Sequence, residues 1–359
     1  MFNTHNNKAI CVLPWVHEHL DLGGQQKPCC YGSPLSANDS LDNIRQQMLQ
    51  GQQPIVCNSC YEQEKQGESS PRIRETIKWI NKFKEPKIDE IDIQYIDVRN
   101  DPTCNLKCKT CGPGASTLWA KERGIKLTKP KHNLNKYNKK SLKKVYMAGG
   151  EPTYNTSYLE FLNDLLIVNP ECEIVINTNL KNLPIEWKKI IPLFKNFTVT
   201  VSCDAIETLG SYIRYPLEWN KFEENIKFCQ NNNISIMFNL VASNLTVHDI
   251  YRTVEWMHQY TNSISLSPVL GDIWTHMAVP TNQRQRYIDN LIKLKKFQIE
   301  HWHAHQFRLN VESLIRKYSE DNYDKNMHQM LKSEIKSQDI HRTLQLKDVD
   351  IFLNSWIFN

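Results

Sequence analysis

No apolar run in this 359-residue chain is long enough to cross a membrane. The opening residues, MFNTHNNKAICVLPW, also lack the basic flank and apolar stretch of a secretory signal. A cytoplasmic protein without a membrane partner is therefore expected. Charge of one sign is lacking too: 44 Lys+Arg against 39 Asp+Glu leave a formal +5, too small an excess for a histone-like nucleic-acid binder. One stretch departs from this balance. Lys126 to Lys144 holds eight lysines and no acid, but only Tyr137 offers a ring for base stacking, so it reads as a solvated loop and nucleic acid is not an expected partner.

Cysteine, by contrast, is abundant. Eleven cysteines in a chain without an export signal read as metal ligands before they read as disulfides. Eight of the eleven precede residue 112, in two sets: Cys11, Cys29, Cys30, Cys57 and Cys60, then Cys104, Cys108 and Cys111. Two metal sites follow. Cys172, Cys203 and Cys229 stand alone and are expected in the core, where free cysteine is common. His301, His303 and His305 invite a metal reading as well, but a helix puts only His301 and His305 on one face, and two ligands do not make a site.

The length exceeds what one core usually supports, so a main domain with satellites is expected. Six short β-branched runs, at about 91–100, 143–150, 173–179, 197–204, 234–243 and 263–270, read as strands. Helical candidates alternate with them, among them Thr156 to Val168 and Trp219 to Asn231. Such alternation builds parallel βαβ units, here an α/β partial (β/α)6 barrel over residues 88–275. Before it lies a loop-rich module, 1–70, with Gly23, Gly24, Pro28, Gly32, Pro34 and Pro54 interrupting any long element. So irregular a segment is expected to bury little apolar surface and to be held together by its cysteines. A linker helix from Ser70 to Lys84 follows, with Pro71 in its first turn. Residues 276–359 turn helical, as in RYIDNLIKLKKF.

The run CNLKCKTC spaces Cys104, Cys108 and Cys111 as C-x3-C-x2-C, directly after the first of those strands. Three thiolates on a short loop bind three irons of a 4Fe4S cube and leave the fourth without a protein ligand. Zinc is the competing reading, although a zinc ribbon pairs two C-x2-C knuckles. Other unusual residues gather at strand C-termini, where the active sites of parallel barrels assemble. Gly149, Gly150 and Glu151 close the second of the six strands, Asn177 and Asn179 the third, Ser202 and Asp204 the fourth, and Asn239 and Ser243 the fifth. Alternation places Tyr95, Asp97 and Arg99 on one side of the first, where they suit a polar substrate or a hydrogen-bonded cofactor, with a structural Asp97/Arg99 ion pair as the alternative; Asp97 and Asp204 are the catalytic candidates.

Over about residues 88–275 the cysteine spacing and the AGGEP run resemble the radical S-adenosylmethionine (radical SAM) superfamily. The resemblance implies a catalytic 4Fe4S cluster on Cys104, Cys108 and Cys111 and S-adenosylmethionine as cofactor. It further implies that Gly149, Gly150 and Glu151 contact the methionine amino group, that Ser202 and Arg214 bind its carboxylate, and that Asn179 lines the same pocket. Thr110 stands where many members carry an aromatic residue near the adenine, so that contact must be made otherwise. The order Cys11, Gly24, Cys29, Cys57, Cys60 resembles a twitch or SPASM auxiliary-cluster motif, placed before the barrel instead of after it. It implies a second 4Fe4S cluster, with Cys30 spare and structural zinc as the alternative. The expected function is oxidation or modification of a peptide, protein or small polar molecule, with electrons from a flavodoxin or ferredoxin. The contrasting reading is a zinc-stabilised module that binds nucleic acid or protein on a degenerate barrel.

Overall fold

The computed structural model describes residues 2–358 apart from 21, 23, 24, 68, 86, 88, 89, 100, 128–132, 270–272 and 300–303. Gly24, His301, His303 and part of the lysine-rich run thus lie outside the described residues. Seven parallel strands form one sheet in chain order: β1 His17–Leu20, β2 Tyr95–Val98, β3 Lys144–Met147, β4 Glu173–Thr178, β5 Phe197–Ser202, β6 Ser235–Ala242 and β7 Ile264–Pro268. Six are the expected strands, and the α/β class holds. The seventh, β1, comes from the segment read as loop: HEHL pairs in register with β2, His17 opposite Tyr95 and His19 opposite Asp97. Four residues with two imidazoles and a carboxylate give no apolar strand signal, and only pairing with β2 reveals them.

The chain divides into two compact units. The first comprises residues 1–103, 127–176 and 189–197. Its N-terminal part buries more than expected. Phe2, Ile10, Val12, Leu13, Trp15, Val16, Ile44, Met48, Tyr61 and Trp79 form an apolar core with Cys11, Cys29 and Cys57 inside it. Short helices at Leu41–Leu49 and Asn58–Lys65 supply part of it, since Gly and Pro break long elements without preventing short ones. Each large apolar side chain buried there contributes about 1.5–3 kcal/mol, so the cysteines do not hold the segment alone. The linker helix spans Pro71–Phe83, with Pro71 at its first position and the Ser70 hydroxyl accepting from the Ile73 N–H. It ties down the cysteine-bearing strand entry: Thr76 accepts from the Val12 N–H at 3.1 Å, and Arg72 donates to the Ile10 carbonyl at 2.6 Å.

Period-two alternation in this unit sends Ile96, Val98, Val145 and Met147, all wholly buried, to one face of the sheet. The opposite face carries His17, His19, Tyr95, Asp97 and Tyr146.

The second unit comprises residues 104–126, 177–188 and 198–359. Helix Trp219–Asn231 buries Phe222, Ile226 and Cys229, and the lone cysteines Cys172, Cys203 and Cys229 are buried in their respective units, as expected. The C-terminal region is helical, with Gln285–Leu294, Ala304–Ser319, Lys325–Asp339, Leu346–Val349 and Ile351–Phe358. Ala304–Ser319 packs on β7, where the Asn310 amide donates to the Leu266 carbonyl at 2.7 Å.

Candidate functional site

In the second unit the loop bearing Cys104, Cys108 and Cys111 is anchored through its backbone. The Lys107 N–H donates to the Tyr215 carbonyl at 2.6 Å and the Lys109 N–H to the Ile213 carbonyl at 2.7 Å, a short ladder against the end of helix Glu207–Ile213. The Ser116 hydroxyl donates to the Leu106 carbonyl at 2.6 Å while capping helix Thr117–Glu122. From that helix the Trp119 indole donates to the Cys108 carbonyl at 2.9 Å, and the Cys104 N–H donates to Thr117 Oγ1 at 3.2 Å. The Asn179 amide points at Cys104 Sγ from 3.8 Å and donates to Asn105 Oδ1 at 2.8 Å. Asn179, expected at the cofactor, thus stands on the cysteine loop itself.

Burial of its sulfur pushes the Cys108 thiol up to about 12; the Arg214 cation opposes this, and Cys111, Cys104 and Asp204 add to it. The same Arg214 and Asp204 charges act on Cys111. Arg214 is paired with Asp204 at 2.6 Å, and its Nε is buried without a hydrogen-bond partner among the described residues. The other Asp204 oxygen accepts from the Val241 N–H at 3.1 Å, so this carboxylate pins the end of β6. Ser202 donates instead to Asn177 Oδ1 at 3.1 Å. The structure therefore brings Arg214, Asp204, Cys108 and Cys111 together and joins Ser202 to Asn177.

In the first unit, the glycine pair after β3 lies against the backbone that leads into Cys104. Gly149 has φ +111, and a Cβ there would stand 2.8 Å from the Asp101 carbonyl oxygen. At Gly150 a Cβ would stand 2.3 Å from the Thr103 carbonyl oxygen. The Gly150 N–H donates to Asp101 O at 2.8 Å and the Glu151 N–H to Thr103 O at 2.7 Å, one residue before Cys104 in the chain. The Glu151 carboxylate is buried and accepts from Thr153, through its N–H at 3.1 Å and its hydroxyl at 2.6 Å.

Cys11, Cys29, Cys57 and Cys60 line one cavity, with Arg72 at its wall. Burial raises the Cys57 thiol to about 12, with Cys29 and Cys60 adding to it and Arg72 opposing. Cys30 is not among the residues lining that cavity. Four thiols around one cavity, with a cation to favour their thiolates, suit a metal group. A single tetrahedral zinc with Zn–S of about 2.3 Å would draw its sulfurs to within roughly 3.8 Å of each other. Among the described residues neither cysteine set has three sulfurs within 4.8 Å of one another.

One set is that tight: His17, His19 and Asp97, all buried. A dication fits poorly there. Arg99 already donates to both Asp97 oxygens, at 2.7 and 3.0 Å, and Lys144 lowers His17's basicity further. Burial, against the pull of Asp97, holds His17 near 4, hence neutral. Burial alone would raise the Asp97 carboxyl, but His19 and Arg99 hold it well below the usual range. Asp97 is sealed, and the side chains beside it that carry transferable protons are the two imidazoles. Their signal in the sequence was the i, i+2 spacing in HEHL. Lys109, Asp339 and Arg342, which meet around the cysteine loop, had none.

A backbone-anchored three-thiol loop on a parallel α/β sheet has the residues to hold an iron–sulfur cluster. Residues 102–257 match the family described as the Radical SAM superfamily, so the chain carries a radical SAM domain. That domain implies a 4Fe4S cluster and S-adenosylmethionine. No curated protein matches the sequence. Among solved structures, "Native anSMEcpe with bound AdoMet" is 17% identical with a TM-score of 0.42, covering 56% of this chain and 59% of that one. Streptococcus suis SuiB bound to precursor peptide SuiA is 13% identical with a TM-score of 0.40, covering 72% and 64%. TYW1 with a lysine-pyruvate adduct bound is 14% identical with a TM-score of 0.32, covering 54% and 68%. No described helix is long and apolar enough to cross a membrane.

Proposed function

We propose that this chain reductively cleaves S-adenosylmethionine and uses the resulting 5′-deoxyadenosyl radical to oxidise or modify a polar substrate, either a peptide or protein or a small molecule. The observation that carries the reading is the loop of Cys104, Cys108 and Cys111, inside the radical SAM match and fixed by backbone hydrogen bonds. When bound, a cluster on these three thiolates supplies an electron and one open iron to the methionine part of the cofactor. Asn179 steadies Cys104. Arg214 offers a buried cation with an unused N–H for the carboxylate, and Gly149 and Gly150 keep the backbone bare of side chains for the amino group. Flavodoxin or ferredoxin would supply the electrons. His19, whose Nδ1 stands 3.3 Å from Asp97, would accept or return a substrate proton.

Anaerobic purification tests the reading: a brown protein with roughly eight irons and eight sulfides, two 4Fe4S cubes, supports it. Protein that binds only zinc after reconstitution with iron and sulfide would overturn it.

Two further results are expected. Arg214→Ala weakens S-adenosylmethionine binding by about 1.5–3 kcal/mol, the worth of a hydrogen bond to a charged group. Arg214→Lys, which keeps a charge beside Asp204, separates this from the cost of leaving that buried carboxylate unpaired. Equal affinity in wild type and Arg214→Ala removes Arg214 from the site. Cys57,Cys60→Ala retains uncoupled 5′-deoxyadenosine formation but fails to complete the product, because a four-cysteine cluster has no open iron and serves as an electron conduit. Since metal binding there also supports folding, circular dichroism and catalytic-cluster content are compared first. A folded variant that makes product at the wild-type rate leaves the N-terminal group a structural one.

A further inference from the structure

The cysteine loop carries a lysine between its last two thiols. Lys109 is wholly buried, 0% exposed, and its ammonium pairs with Asp339 at 2.5 Å, 4.1 Å above the centre of the Tyr212 ring. Asp339 is the last residue of helix Lys325–Asp339, 230 positions along the chain. Its carboxylate also accepts from the Tyr212 hydroxyl, at 3.1 and 3.2 Å, and from the Leu346 N–H at 3.1 Å. One carboxylate therefore joins the cysteine loop, helix Glu207–Ile213 and the start of Leu346–Val349. Three residues on, Arg342 is buried with its guanidinium 5.1 Å from the Trp119 ring and 5.4 Å from the Tyr215 ring. None of its nitrogens has a hydrogen-bond partner among the described residues. Trp119 is the residue that donates to the Cys108 carbonyl, and Tyr215 the one whose carbonyl receives the Lys107 N–H.

Stability does not explain this arrangement. Burying an ion pair costs several kcal/mol per ion in desolvation, and apolar side chains of matching shape often serve as well or better. What a charged pair adds is register: it is satisfied at one relative position of its two elements only, whereas apolar packing tolerates sliding. Both contacts converge on the backbone that aims Cys108 and Cys111.

We propose that Asp339 and Arg342 are positioning residues for the cysteine loop, so that the C-terminal helical region is part of the cofactor site. This rests on the radical SAM reading. The test uses full-length, cluster-reconstituted protein and titrates S-adenosylmethionine against the paramagnetic resonance signal of the dithionite-reduced state. The cofactor-induced change in that signal reports only a cluster with an open iron. Asp339→Asn and Arg342→Met each need roughly 10–100-fold more cofactor for half of the change, the usual penalty for losing an outer support of a metal site. Met330→Ala, on the exposed side of the same helix, behaves as wild type. Half-saturation of both variants at the wild-type concentration overturns the proposal. Where Asp339→Asn fails to fold, the shape-matched pair Lys109→Met with Asp339→Leu replaces it. Wild-type half-saturation in that folded pair also overturns the proposal, and a shift like that of Arg342→Met supports it. A wild-type protein with no cofactor-induced change at all fails the radical SAM reading instead.

Discussion

Replacing Cys104, Cys108 and Cys111 together by Ala is expected to reduce 5′-deoxyadenosine formation to background in dithionite-reduced protein, while the N-terminal cysteines still take up iron and sulfide. The two sets share no ligand. Cys11, Cys29, Cys57 and Cys60 line a cavity within the first compact unit, whereas Cys104, Cys108 and Cys111 belong to the second. Iron content separates the outcomes, with wild type near two cubes and the triple variant near one. Unchanged 5′-deoxyadenosine production by the triple variant would sink the assignment of the catalytic loop. Loss of both clusters with native circular dichroism would show that the two sites are not independent.

Gly150→Ala is expected to be nearly as damaging, although it removes no ligand. The added methyl would stand 2.3 Å from the Thr103 carbonyl oxygen and 2.7 Å from the Pro102 carbonyl carbon. These are backbone atoms, which cannot rotate away as the end of a flexible side chain can. Relief requires the 102–103 segment to move, which breaks the hydrogen bonds from Gly150 to Asp101 and from Glu151 to Thr103. Overpacking of this kind costs about 1–3 kcal/mol, read as a lower urea midpoint at unchanged slope. Because Cys104 follows Thr103 directly, cofactor cleavage falls along with stability. Gly112→Ala is the control, since among the described residues, its two chain neighbours aside, no atom lies within 4 Å of a Cβ there. A Gly150→Ala protein with wild-type urea midpoint and wild-type 5′-deoxyadenosine yield would show that the close approach is not required.

The lone-cysteine and helix readings illustrate what local pattern can carry. Thr156–Val168 and Trp219–Asn231 form with the bounds their periodicity implies, and Cys172, Cys203 and Cys229 are buried. Asn179, a strand-end residue, lies with its amide 3.8 Å from Cys104 Sγ. Ser202 and Asp204 show where such reasoning weakens. Ser202 ends β5 and Asp204 follows two residues on, but Ser202 is engaged with Asn177, and Asp204 is divided between Arg214 and the Val241 N–H. Strand alternation gives the face a side chain takes and is silent on which partner it finds there.

Composition and spacing by themselves determined the α/β class, the six strands after residue 90 and the three-thiol loop. Each of these rests on short-range rules: period two in strands, period 3.6 in helices and the reach of thiolates on one loop. Tertiary structure alone decided the rest. It recruited HEHL as β1, gathered Cys11, Cys29, Cys57 and Cys60 around one cavity with Arg72, and buried Lys109 against Asp339. The physical reason is the same in all three. Whether an imidazole becomes a strand residue, a thiol a ligand or a lysine a buried ion depends on groups tens to hundreds of positions away, brought near only when the chain folds.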